Sequence, residues 1–205
     1  MSRQEVRTMR VVTENIETAG GGFPAVAGLN ATVAELNYAA DLSAQEAMAP
    51  GAGFLGTGTV YESSVIREGS LIKTSIVIDL TGAASSTTDL DIIGTSGVSH
   101  IGQFTAAVNG TYMGGKLTCL EVPTGGVTDI DLYAATEGTG AYNGLVTDLV
   151  ETALVTSGGA WTLGATKPLL VDVAANKYLY LTGGAAGTAA TYTAGRFLLE
   201  IWGLA

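Results

Sequence analysis

The chain has 205 residues, 47% of them hydrophobic and 14% charged, with 29 glycines, one cysteine, one histidine and a formal charge of −10. That length and apolar content support one full-sized core, and a lone Cys119 excludes an intrachain disulfide. The acidic excess repels phosphate backbones and excludes nucleic acid from the expected partners; no run long enough for a spanning helix and no apolar leader after Met1 point to a soluble product without a membrane partner.

At the start, Arg3, Arg7 and Arg10 stand against Glu5, and Val6, Met9, Val11 and Val12 supply an apolar set. Residues 6–13 read as a short extended segment, cut off by the breaker Ala19-Gly20-Gly21-Gly22-Phe23-Pro24, which makes an arm on a flexible hinge. So short a segment cannot bury enough surface to order itself. Arg3, Val6, Arg7, Met9, Arg10, Val11 and Val12 are therefore the candidate partner-binding residues, and a solvated arginine tail is the plain alternative.

Two capping boxes follow, Thr32-Val33-Ala34-Glu35 and Ser43-Ala44-Gln45-Glu46, and they predict short helices over about residues 33–40 and 44–48. Pro50-Gly51 stops the helical pattern, so the expected division is an N-terminal arm with short helices over 1–50 and a β domain over 51–205.

Beyond that point the period becomes two. Ile72, Ile76, Ile78 and Leu80 fall on one face of a strand whose other face carries Lys73, Ser75 and Asp79. Similar runs are Thr59–Arg67, Leu90–Ile93, Tyr112–Val122, Asp129–Ala134, Leu169–Val173, Tyr178–Thr182 and Arg196–Trp202. Residues 145–155 predict a helical turn, and Thr152–Thr156 and Ala160–Leu163 around Ser157-Gly158-Gly159 predict a hairpin. Eight or nine short strands with no crossover helices imply a mainly β fold, an antiparallel β-sandwich of jelly-roll type. In it, Arg196–Trp202 is expected to be a core strand whose removal unfolds the domain.

No catalytic constellation emerges. His100, in Ser99-His100-Ile101-Gly102, lacks the Gly-x-Ser-x-Gly elbow of a serine hydrolase and reads as a turn histidine. One His and one Cys cannot build a four-ligand zinc site, and no cation stands near Cys119 in sequence to activate it. The pairs Asp89/Asp91 and Asp129/Asp131 suit a glycosidase or a calcium ion in residue type, yet solvent-facing carboxylates opposite Leu90/Ile92 and Ile130/Leu132 account for them. The glycines of residues 51–58 lead into a strand with no Gly-Lys-[Ser/Thr], so they are no phosphate loop. Tyr178, Tyr180 and Trp202 could make a sugar-stacking platform or fill core. The expectation is a protein that is not an enzyme and has no cofactor and no metal.

One resemblance is specific enough to name. Thr32-Val33-Ala34-Glu35-Leu36-Asn37-Tyr38 resembles the Thr-x-x-Glu-Leu-Asn segments of phage fibres, with Ala39-Ala40-Asp41 in place of the usual Leu-Asp-Gly. Residues 58–86 and 191–197, within a broader likeness over about 55–203, look like small structural proteins of marine tailed bacteriophages. The resemblance implies a virion structural protein assembled in the host cytoplasm: a homotrimeric sandwich acting as capsid decoration (cement) protein on the major capsid protein. A head- or tail-fibre module that binds host glycans is the alternative, and a small polysaccharide-degrading tailspike is a third reading.

Overall fold

The computed structural model describes residues 48–54, 61–187 and 189–205. All belong to the second of the two units into which the chain divides, Met1–Ala44 and Gln45–Ala205. The candidate arm residues and the helix expected over 33–40 lie outside the described residues; of the helix expected over 44–48 only Met48 is described, and it is not helical.

Eleven strands are found among the described residues. β1 (Tyr61–Glu68), β2 (Leu71–Asp79), β3 (Ala84–Ser85) and β4 (Gln103–Phe104) precede a single helical turn, α1 (Ala106–Asn109). Then come β5 (Thr111–Thr124), β6 (Ile130–Ala135), β7 (Glu151–Val155), β8 (Thr166–Pro168), β9 (Lys177–Gly183), β10 (Ala190–Thr191) and β11 (Ala194–Leu204). One sheet has the order β1-β2-β11-β5-β8, another β4-β9-β6-β7, and β10 with β3 forms a two-stranded ribbon. Every pairing is antiparallel.

The alternation read from the sequence explains why the two larger sheets face each other. β2 buries Ile72, Thr74, Ile76 and Ile78, β5 buries Leu117 and Cys119, and β11 buries Phe197, Leu199 and Ile201. Opposite them, β6 gives Ile130, Leu132 and Ala134, β7 gives Leu154 and Val155, and β9 gives Leu179 and Leu181, all in one continuous cluster. Burying each such Ile, Leu or Phe contributes roughly 1.5–3 kcal/mol. Trp161 closes the core: its ring meets Phe197 edge-on at 5.2 Å and its Nε1 donates to the Ile130 carbonyl at 2.8 Å. The mainly β, antiparallel sandwich expected from the sequence is thus the fold; its strand order supports that description without extending it to a jelly roll.

Residues 48–54 are built into this body. Met48 and Phe54 are buried, Tyr61 Oη donates to the carbonyls of Met48 and Ile101, and Gly51 N donates to the His100 carbonyl. The 1–50 boundary expected at Pro50 therefore leaves Met48 on the side of the sandwich.

Several expected strands differ for reasons the geometry supplies. Leu90–Ile93 lies along β9, but only through isolated bridges and single hydrogen bonds such as Ile93 N to the Leu181 carbonyl. Leu169–Val173 forms no strand, because consecutive amides go to different sheets: Leu169 N to Gly115 of β5 and Leu170 N to Leu154 of β7. The hairpin around Ser157-Gly158-Gly159 is absent as well. Its first arm is β7, paired with β6, and its second arm places Trp161 in the core instead. The helical turn expected just before it is present as a 3-10 turn, Val146–Asp148.

The sandwich has a second, smaller core. Tyr133 and Ala135 of β6 and Tyr180 of β9 point away from the main core and are covered by Ile92 and Val146 from the connections before β4 and after β6. A Cβ at Gly140 would lie 2.8 Å from both Ile92 and Tyr180, so the cover fits only because that residue is glycine. Tyr180 Oη donates to the Glu137 carbonyl at 2.8 Å and accepts from Gly140 N, fixing this connection to the sheet.

Candidate functional site

The outer face of the five-stranded sheet has no such cover among the described residues. Since β2 buries its even-numbered residues, Leu71, Lys73, Ser75 and Val77 point outward. The register carries that face sideways: Leu71 stands opposite Leu204, Lys73 opposite Ile66 and Trp202, and Ser75 opposite Ser64 and Glu200. Glu200 in turn faces Lys116 and Trp202 faces Gly114 on β5.

At the centre of this face Glu200 is 8% exposed, held by Lys73 Nζ at 2.6 Å and Lys116 Nζ at 3.0 Å. Burial alone would raise its pKa, but the two ammonium groups outweigh burial and hold the carboxyl below the usual range. Lys116 also lies over the Trp202 ring, 5.7 Å from its centroid. Further along, Arg196 binds Asp79 at 2.7 Å. These contacts stiffen the long side chains of a face that is otherwise open.

One end of the face is richer in apolar side chains: Leu71 (38% exposed) and Leu204 (46%) pair beside Trp202, Ile66 (41%) lies across Lys73 from it, and Met113 (59%) sits at the adjoining bulge of β5. Contiguous apolar surface on a rigid sheet marks an interaction site far better than single exposed residues do. Sequence reasoning put Trp202 on a core strand and missed this corner. The signal was present in Leu71 and Leu204, which keep the outward parity of Lys73 and Glu200.

The acidic pairs lie along the other sheet, Asp131 on β6 and Asp89, Asp91 and Asp129 in the connections beside it. They are not both solvent-facing, as the sequence suggested: Asp91 and Asp131 are 5% exposed. Asp131 points away from the main core beside its register partner Thr182, and its Oδ1 accepts the Ser157 amide. Burial raises its pKa, the Ser157 bond partly offsets this, and the charges of Asp129 and Asp89 add to the rise. A Cβ placed on Gly184 would lie 2.7 Å from Asp129 Oδ1 and 2.8 Å from Asp131 Oδ1, so the two carboxylates converge over that glycine. Beside them opens a cleft of about 310 Å³ lined by Gly125, Gly126, Asp129, Ala185, Ala186 and Gly187.

The other candidates separate. Tyr178 and Tyr180 belong to the four-stranded sheet and Trp202 to the five-stranded one, so the three aromatics form no common platform. Tyr180 is fully buried. His100 is not a free turn residue: its ring packs 4.9 Å from Tyr178 and 6.2 Å from Tyr180, and burial lowers its pKa. Cys119 is buried in the core, and burial raises its thiol pKa, which opposes reactivity. Among the described residues no group of three or more His, Cys, Asp or Glu side chains is arranged to hold a metal ion.

No family model matches this sequence, and no curated protein or solved structure matches it either.

Proposed function

We propose that this chain is a non-enzymatic virion structural protein, a capsid decoration (cement) protein whose sandwich binds the outer capsid surface and stabilises the particle. The observation that carries this reading is the apolar corner of Ile66, Leu71, Trp202 and Leu204, set beside the ion-paired strip of the same bare sheet face. Such a face suits a rigid contact: its apolar end supplies the affinity and the fixed charges beside it supply register. The phage-like segment Thr32–Tyr38 and the arm of residues 1–22, with its positive start and its apolar set, agree with it. In this reading the arm anchors to a neighbour and the corner joins subunits, most simply as a trimer.

Two measurements on the purified chain test the proposal. Light scattering should give a trimer at micromolar concentration, and Ile66→Asp with Leu204→Asp should give a folded monomer. Mixed with undecorated phage capsids, the full chain should bind and raise their resistance to heat, whereas a chain lacking residues 1–22 should keep its own melting transition and lose most of the binding. A monomeric wild-type chain that also ignores capsids would overturn the reading.

A further inference from the structure

The strip around Gly184 carries charge that its protein neighbours do not neutralise. None of the three ion pairs among the described residues involves Asp89, Asp129 or Asp131. Asp129 Oδ1 is buried without a hydrogen-bond partner, and so is Oγ1 of Thr182, a residue with no exposed surface. Burying oxygen atoms with no donor costs free energy unless something pairs with them. Asp131 links the two, by its register with Thr182 and by its approach with Asp129 to Gly184. Asp131 and Thr182 are direct partners across β6 and β9 and project from the same side, with partner Cβ atoms typically about 4.5–5.5 Å apart. Gly184, just past the end of β9, lies under both carboxylates. Thr182 therefore flanks the point on which Asp129 and Asp131 converge.

Lys167, the cation whose charge acts on Asp131, does not fill this role. Lys167 Nζ donates to the Ser157 carbonyl and sits over the Trp161 ring at 5.3 Å from its centroid; its charge acts on Asp131 only at a distance. We propose that Asp129, Asp131 and Thr182 form a binding site for a hard divalent cation of the calcium type, entered from the cleft beside Asp129. Two carboxylates, a hydroxyl and the carbonyls of the surrounding Gly-rich turns are oxygen donors throughout, the set that calcium takes with water completing its shell. With two carboxylates rather than three side-chain acids the site is of modest affinity, and it offers zinc no nitrogen or sulfur. This reverses the expectation, drawn from sequence spacing, that the Asp pairs hold no ion.

The test is thermal unfolding of the full chain, stripped with chelator and then titrated with calcium chloride against sodium chloride of equal ionic strength. The expected result is a midpoint that rises by several degrees with calcium and saturates. Asp129→Asn keeps the shape, loses no side-chain hydrogen bond and should abolish the rise; Glu62→Gln with Glu68→Gln, on β1, should keep it in full. Titration calorimetry of wild type with calcium alone gives the same answer without a variant, as one saturable site per chain. A midpoint that calcium leaves in place, as when water alone occupies the strip, overturns the proposal. Equal loss in the β1 variant also overturns it, by showing diffuse counter-ion binding.

Discussion

The two outer faces of the sandwich have been treated in opposite ways. On the four-stranded sheet, the connections before β4 and after β6 fold back over the outward residues of β6 and β9 and make a second core around Tyr133 and Tyr180. On the five-stranded sheet the outward residues mix lysines, Glu200 and serines with Ile66, Leu71, Leu204 and partly buried Trp202, and its charges are held by ion pairs. The same alternation thus serves two ends: where the chain supplies its own lid the outward positions are aromatic, and where none is found among the described residues they are amphipathic.

The largest test of this contrast removes what both arrangements stand on. Deleting residues 194–205 takes out β11, which pairs with β2 on one side and β5 on the other. The product should show no cooperative thermal transition, because two strands lose their partners and Phe197, Leu199 and Ile201 leave the core. A truncated chain that still melts cooperatively would show that the four-stranded half folds alone.

A matched pair of substitutions then sets one face against the other. Tyr180→Ala should cost about 3–5 kcal/mol in denaturant unfolding, since it empties the second core and unpairs the Glu137 and Gly140 backbone groups. Trp202→Ala should cost less, about 1–3 kcal/mol from its partly buried apolar area and the Lys116 cation–π contact, while weakening self-association in sedimentation. Equal costs would erase the distinction between a covered face and an open one.

The smallest expected effect is a slope with pH. Burial against Tyr178 and Tyr180 depresses the His100 pKa in the folded chain, so the unfolded chain takes up its proton first as pH falls. Stability from this group is therefore complete above the ordinary histidine value of about 6.5 and is lost as pH drops through the folded value. His100→Gln should flatten the stability profile just below pH 6.5, read from denaturant midpoints in matched buffers. An unchanged slope would assign it to the carboxylates instead.

How much of this was legible depended on how far each signal reached along the chain. Ile72, Ile76 and Ile78 announce β2 because a half-buried strand writes its period into every second residue, and the same parity marks the long strands β5 and β11. Leu169–Val173 reads the same way and is no strand, because a chain crossing between sheets needs the same apolar residues as one that stays. β3, β4, β8 and β10 are two or three residues long and have no period to read. At the candidate sites, the identity of Asp129 and Asp131 was visible, but their convergence over Gly184 depends on the register of β6 with β9, some fifty residues apart. The apolar corner was hidden for the same reason, since Leu71 and Leu204 become neighbours only through pairing.

The central position of β11 also sets a schedule. Its two flanking strands are made first, β2 ending at Asp79 and β5 at Thr124, and the strand that joins them starts at Ala194. At ordinary synthesis rates of about 5–20 residues per second, β2 waits on the order of ten seconds for its inner neighbour. Throughout that interval β2 and β5 each present an unpaired edge to every other nascent chain on the same message. The small and charged residues along them, Lys73, Ser75, Gly114, Gly115 and Lys116, keep those edges poor templates for one another until the right strand arrives.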